Sequence, residues 1–494
     1  MRSRTDVCLM ALALSAALCG CDRTLRAPER LVEGDAPAVS RDGRRLAFQS
    51  ARGGQMRLGL LDLASRHVTW LVDGETENAC HPAWGRDGSL VYAYANITNT
   101  AYQRFCVKGG PQDGYGLALW KDGATRELTH GLWRDYMPSF SPDGSRVYFC
   151  TQRGAEKATE TTGVRQRIDV LDLDVPSEPK PCILPPQGDS AVGQPVVSPD
   201  GRLIAWAELG CPGDIWHIKV ACVGETDRAV QVTPVRMSAY APNWHPDSRH
   251  LVCAGFLKGD PTWCVYAVNV VDGSVRRIAE GTDPCVSADG RTLYHVQDGW
   301  IWRRPFDPAM LPSGGGAESD PDGEPERILQ SFDAVAANGV RPMPAGDFGR
   351  DRTVFCRLTV DFDGTDGFYP VFFGGYRTTS LGLMLFFKGG CAYFATRDFA
   401  DTAFAVNDSS RLSKGLHRLT GIRGSDGKVY LSVDGKPAVS LGCSRGVIAL
   451  DGPRKGVFFP DGVKVHGKGI SDFQIGTGWP ANVPKPLKGR DLVR

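Results

Sequence analysis

One short pattern recurs six times before residue 300, and no other feature constrains the fold as strongly. The copies are APAVSRDGRRLAFQS from Ala36, HPAWGRDGSLVYAY from His81, MPSFSPDGSRVYFC from Met137, QPVVSPDGRLIAWAE from Gln194, APNWHPDSRHLVCAG from Ala241 and DPCVSADGRTLYHV from Asp283. Their aspartates, Asp42, Asp87, Asp143, Asp200, Asp247 and Asp289, are spaced by 45, 56, 57, 47 and 42 residues. Proline presets φ, aspartate hydrogen-bonds nearby amides and glycine accepts φ > 0, so each copy reads as a tight turn. The apolar or alternating run that follows, such as RVYFC or RLIAWAE, reads as a half-buried or fully buried strand.

A period of about 40 to 50 residues carrying several short strands indicates the blades of a β-propeller. DIWHIKVACV and AVQVTP supply further strands in the fourth repeat, giving about four per unit. An aspartate at one place in six turns is explained by the turn, because a single active site does not need six copies. Closure of the ring is also legible. ERLVEGDAP at Glu29–Pro37 parallels RRIAEGTDP at Arg276–Pro284, so the N-terminal strand is expected to complete the last blade and remove an exposed edge. ERILQ at Glu326–Gln330 is the rival for that place.

The S-P-D-G-x-x-[LIV]-x-[FWY] pattern resembles the TolB-type propeller repeat, and the resemblance implies a six-bladed propeller over residues 22–306. Ser248 in place of glycine and Ala288 in place of proline depart from it and are expected to weaken single turns. Residues 307–326, rich in Gly, Pro and acids, read as a linker. Beyond it, strand signals without helical periodicity predict a β-sandwich over 327–482, followed by a basic tail, 483–494. HRLTGIRGSDGKVYLSVDGKPA (His417–Ala438) and the later ISDFQIG resemble a concanavalin A-like or laminin G-like jelly roll. The fold class expected is therefore all-β, a six-bladed propeller followed by a sandwich. Domains of the second kind commonly bind glycans or proteins, and some cleave glycans.

The N-terminus reads as a targeting segment. Arg2 and Arg4 precede VCLMALALSAAL, too short for a membrane span of roughly 20 residues but suited to a signal peptide. LCGC, ending at Cys21, resembles a bacterial lipobox, which implies a signal peptide over 1–21, lipidation of Cys21 and a membrane anchor in the bacterial cell envelope. Asp22 resembles an inner-membrane retention signal of some bacteria. Fifty-seven basic against 56 acidic residues leave a net charge of +1, which gives no electrostatic footprint for nucleic acid. Export permits disulfides, with Cys253–Cys264 and then Cys211–Cys222 as candidates and free buried thiols as the alternative.

Candidate chemistry is sparse. Asp35, His81, Asp135, Tyr240 and Asp283 precede or open the innermost strands, where a channel mouth would gather them into a cation or sugar site. Asp361, Asp363 and Asp366 in DFDGTDG present alternate hard oxygens for Ca²⁺, against the reading as a polar hairpin turn. Tyr369, Tyr376 and Tyr393 are candidates for stacking on sugars, against core packing. No G-x-S-x-G elbow and no H-E-x-x-H motif occurs, and no other cofactor is implied. Two functions follow: a lipid-anchored, non-catalytic binder of a glycan or an envelope protein, or a glycan hydrolase or lyase with its site in the propeller channel.

Overall fold

The computed structural model describes residues 27–493 apart from 53–54, 73–76, 97–114, 131–132, 154–165, 176–177, 186–190, 210–214, 235–236, 258, 314–325, 333–351, 365–368, 376–381, 389, 398–402, 425–428, 439–461, 466–469 and 486–488. Six sheets of four strands carry the six repeats. Blade one runs outward as Asp35–Val39, Arg45–Arg52, Gln55–Asp62 and Val68–Val72, and the later blades keep this order. The second strand of each blade is buried on both faces, which is why it reads as a continuous apolar run, while outermost strands such as Ala124–Glu127 are exposed. In blade one, Leu46 and Phe48 pack toward blade six while Ala47 packs toward blade two. Six such apolar clusters fill the six seams of the ring.

The ring closes through its first strand. Glu29–Glu33 lies antiparallel to Trp300–Pro305 as the outermost strand of blade six, with Glu29 opposite Arg303. The Glu29 carboxylate accepts from Arg303 Nε at 2.8 Å and also pairs with Arg66 of blade one. The rival segment goes elsewhere: Arg327–Phe332 pairs with Ile470–Thr477.

The turns confirm the structural reading of the six aspartates. Oδ1 of Asp42, Asp87, Asp143, Asp200, Asp247 and Asp289 each accepts the amide two residues on, at 2.9–3.1 Å. In four blades the serine two residues before the aspartate donates to the same oxygen and accepts an amide five residues on. Ser248, expected to weaken its turn, takes φ 56° and its hydroxyl accepts the Asp200 amide of the neighbouring blade at 3.1 Å.

Beyond the propeller, two five-stranded antiparallel sheets share one apolar core. Val354, Cys356, Leu358, Val360 and Phe362 alternate inward from one sheet to meet Leu383, Leu385 and Phe387 from the other. Both ends of this region return to the propeller. Residues Pro308–Met310 form a 3-10 turn capped by Asp307, and Met310 and Leu311 pack into the seam between blades five and six. At the other end of the chain Gly489–Leu492 forms one helical turn, and Leu492 is buried in the seam between blades four and five. The expected basic tail is thus a docked segment at its tip.

The cysteine expectation is corrected. Cys253 stands opposite Tyr266 and Cys264 opposite Gly255, so the hairpin register keeps the two thiols from facing each other, and both are free. Cys222 is also free, and Cys211 lies outside the described residues. Burial raises the Cys253 thiol to about 12, consistent with a small core residue.

Candidate functional site

The channel walls come from the six innermost strands, and each of these is bulged at one place. Ala36, His81, Met137, Gln194, Ala241 and Asp283 all have left-handed φ of 47–55°, and each directly precedes a proline. The pairing register shifts there in every blade. A bulge re-aims the side chains that follow it, and a non-glycine residue at such φ costs about 1 kcal/mol or more, which the surrounding ring must offset. The ring does so partly by stitching the bulges together. His81 N donates to Gln49 Oε1 at 2.8 Å, Ala241 N to Gln194 Oε1 at 2.7 Å, and Gln194 N to Cys150 Sγ at 3.1 Å, each from one blade to its predecessor.

The strand halves after the bulge enclose a funnel of about 420 Å³ on the turn face. All six blades contribute to its wall, which is mainly proline, valine and aromatic surface with serine hydroxyls among them. Trp84, Phe140 and Trp244 form its largest side chains, and Arg41 and Arg86 stand on its rim. The two indoles are fixed by hydrogen bonds to the preceding blade, Trp84 Nε1 to Ala38 O at 2.9 Å and Trp244 Nε1 to Val196 O at 3.0 Å. Among the described residues, the funnel wall carries no carboxylate and no histidine. The pattern P-x-[WF] before three of the turns is the sequence signal for this wall, and reading the copies for turn chemistry alone passes over it.

The opposite mouth holds the sequence-identified candidates, at three different levels of the wall. Asp283 and His81 occupy bulge positions, Asp35 and Tyr240 lie one residue before theirs, and Asp135 two before. Asp35 and Asp283, from blades one and six, are brought together. Burial raises the Asp35 carboxyl to about 7, the nearby Asp283 charge adds to this, and a hydrogen bond from Gln49 opposes it. Burial likewise raises Asp283, with a Thr282 hydroxyl bond opposing. One Asp35 oxygen, Oδ1, is buried without a hydrogen-bond partner. Burial lowers His81 to about 4, so its imidazole is neutral at pH 7, and its ring lies 6.1 Å from that of Tyr136.

The other two candidates have partners of their own. Asp135 is fully buried and accepts from Thr151 Oγ1 at 2.6 Å and Arg153 Nη2 at 2.7 Å. Tyr240 packs edge-on against Trp263, ring centroids 4.9 Å apart. Gln49, which touches both Asp35 and the His81 amide, is a member of this mouth that the strand-entrance reading leaves out.

In the second domain Asp361 and Asp363 are exposed, and Asp366 lies outside the described residues. No group of three or more His, Cys, Asp or Glu residues able to hold a metal occurs among the described residues. Tyr393 is half-buried; the side chains of Tyr369 and Tyr376 lie outside the described residues. His417 contacts Asp434 Oδ2 through Nδ1 at 2.8 Å, but its Nε2 is committed to Ser413 O at 2.8 Å, which leaves no nitrogen for general-base work. Cys21 and Asp22 lie outside the described residues, and no described helix is long and apolar enough to cross a membrane.

The architecture defines the class: an all-β protein with a TolB-like propeller and a second β-domain. No family model matches the chain. A TolB homolog from Chlorobium luteolum (strain DSM 273 / BCRC 81028 / 2530) is 30% identical over 118 residues, which is 24% of this chain and 23% of that protein. The chain therefore matches about a quarter of the relative's length. Among solved structures, TolB from Acinetobacter baumannii aligns at TM-score 0.37 and 14% identity over 60% of this chain and 68% of that one. An oligogalacturonate lyase in complex with manganese gives 0.39 and 16% over 58% and 96%. Hydrazine synthase of Kuenenia stuttgartiensis gives 0.41 and 12% over 83% and 61%. At these TM-scores the likenesses establish no function, and the fold rests on the sheets themselves.

Proposed function

We propose that this is an exported, lipid-anchored binding protein of the bacterial cell envelope. Its propeller is a protein-interaction platform, and its C-terminal β-domain, read as a concanavalin A-like sandwich, binds a glycan or protein. The observation that carries the reading is the turn-face funnel. It offers apolar, proline-rich and aromatic surface fixed by hydrogen bonds and no carboxylate or imidazole to move a proton. Such a wall suits an extended peptide with apolar side chains, and Arg41 and Arg86 on the rim suit an acidic residue beside them. The TolB homolog supports a role of this kind without naming a partner. Pull-downs from envelope fractions with the full-length protein and with Trp84→Ala/Trp244→Ala test it. A partner captured by the first and lost by the second is expected, and equal capture by both overturns the funnel as the binding surface.

The Asp35–Asp283 pair favours a second reading, glycan hydrolysis or lysis in the opposite mouth. A carboxyl raised to about 7 is poised to give or take a proton near neutral pH. Incubation with polysaccharide panels, with and without Ca²⁺ or Mn²⁺, tests it: product released by the wild type and not by Asp35→Asn supports it, and no product from any substrate removes it.

A further inference from the structure

Blade five alone among the six carries histidine on both sides of its turn aspartate. Two residues before the aspartate the other blades have Ser40, Gly85, Ser141, Ser198 and Ser287, where blade five has His245. Three residues after it they have Arg45, Leu90, Arg146, Leu203 and Thr292, where blade five has His250. The same blade is the one that receives the start of the interdomain linker.

The His250 ring lies between two acceptors. Its Nδ1 is 2.7 Å from Asp247 Oδ2, and its Nε2 is 3.2 Å from the buried carbonyl of Pro312 in the linker. A carboxylate and a carbonyl can only accept, so both contacts are satisfied together only when both ring nitrogens carry hydrogen, as in the imidazolium. The neutral ring keeps one hydrogen, which the ionised Asp247 holds more strongly. Nε2 then turns a lone pair toward the Pro312 oxygen, and the contact becomes repulsive.

From the geometry we infer that His250 is a pH-sensitive latch, which when protonated fastens the linker to the turn face of blade five and on deprotonation releases it. Three further contacts among the described residues hold the same stretch. Asn269 Nδ2 donates to the same Pro312 oxygen at 3.3 Å, Arg276 donates to Ala309 O, and Asp307 Oδ1 caps the Ala309 amide at 2.8 Å. Beside the ring stand Asp247, which touches it, Arg249 on the same turn, and His245, whose ring lies 6.4 Å away edge-on and also contacts Asp247 Oδ2 at 3.1 Å. From blade six Phe306 packs edge-on on His245 at 5.9 Å and brings no charge. The tether at the other end of the C-terminal region, Leu492 in the seam of blades four and five, is apolar. A rise in pH therefore loosens the described attachment at the linker and leaves the described one at Leu492.

Hydrogen exchange on the full chain tests the latch through the Met310 and Leu311 amides, which donate to Asp307 O and Pro308 O. Protection, corrected for intrinsic exchange, is compared at pH about 5.5 and about 9. The wild type is expected to lose about tenfold protection at the higher pH, the size of one lost charge-assisted hydrogen bond. His250→Phe is expected to show the low protection at both pH values, and His250→Lys, still charged at pH 9, the high protection at both. Unchanged exchange in the hairpin of His250–Phe256 and Cys264–Asn269 reports that each variant is folded. Equal protection of the wild type at both pH values overturns the latch. So does a pH response that persists in a folded His250→Phe.

Discussion

The α-carbon of Gly489 sits so close to the Val270 carbonyl that a Cβ built on it would stand 1.6 Å from that oxygen. The contact sets the C-terminal turn against blade five and lets Leu492 enter the seam with blade four. Gly489→Ala is therefore expected to evict the tail although alanine favours helix. Leu492→Ala should cost about 2 kcal/mol, the low end for a buried leucine. Hydrogen exchange of residues 264–275 checks both: each variant should accelerate it, and wild-type rates in Gly489→Ala would show that the tail bears no load there.

His217 is 2% exposed, neither ring nitrogen has a partner, and burial lowers its value to about 3, with Lys219 adding to the shift. The unfolded chain takes up this proton near the ordinary value of about 6.5, whereas the folded chain refuses it until about 3. The folded state is therefore fully stable with respect to this group above pH 6.5 and loses stability as pH falls from there toward 3. At pH 5 the loss is about 1–2 kcal/mol. His217→Leu should remove that part of the acid limb, read as a smaller gap between urea midpoints at pH 7.5 and pH 5. His81 and His295, also lowered to about 4, retain their shares.

Asp35 has the opposite sign. Its folded value is raised to about 7, so the unfolded chain ionises first, and stability falls as pH rises from about 4 through 7. Asp35→Asn is expected to raise the urea midpoint at pH 8 and to leave it nearly unchanged at pH 4. A midpoint lowered at pH 8 would mean that the carboxylate has a stabilising partner.

Ser248 pits two effects of similar size against each other. Its left-handed φ costs about 1 kcal/mol or more, while its hydroxyl ties the neighbouring blade through the Asp200 amide, worth about 1 kcal/mol. Ser248→Ala keeps the strain and loses the bond, so it should destabilise by about 1 kcal/mol. Ser248→Gly loses both and should be neutral within about 0.5 kcal/mol. Denaturant titration of the two variants separates strain from tie.

Local chemistry explains why so much was legible in the chain. A turn of the Asp143 type is closed by atoms within five residues of one another, so each copy announces its own structure. The doubly buried strands after the turns likewise show themselves as apolar runs. Ser248 was legible as a departure but not as a tie, because its partner lies in another blade. The Cys253–Cys264 pairing failed for a related reason: a hairpin loop shows which strands pair, while the register that separates the two thiols depends on how the loop folds.

The candidate site was legible only in part. Asp35 and Asp283 were recognisable as strand-entrance residues, and so was Asp135, which the fold instead ties to Arg153. Nothing local distinguishes these cases. The repeat number, the turn chemistry and the apolar seams were determined by the sequence itself, because each depends on neighbours along the chain. Closure by Glu29–Glu33, the meeting of Asp35 with Asp283, the contact of His250 with Pro312 and the docking of Leu492 were decided by the tertiary structure alone. Each joins residues far apart in the chain, and their meeting waits on the ring being complete.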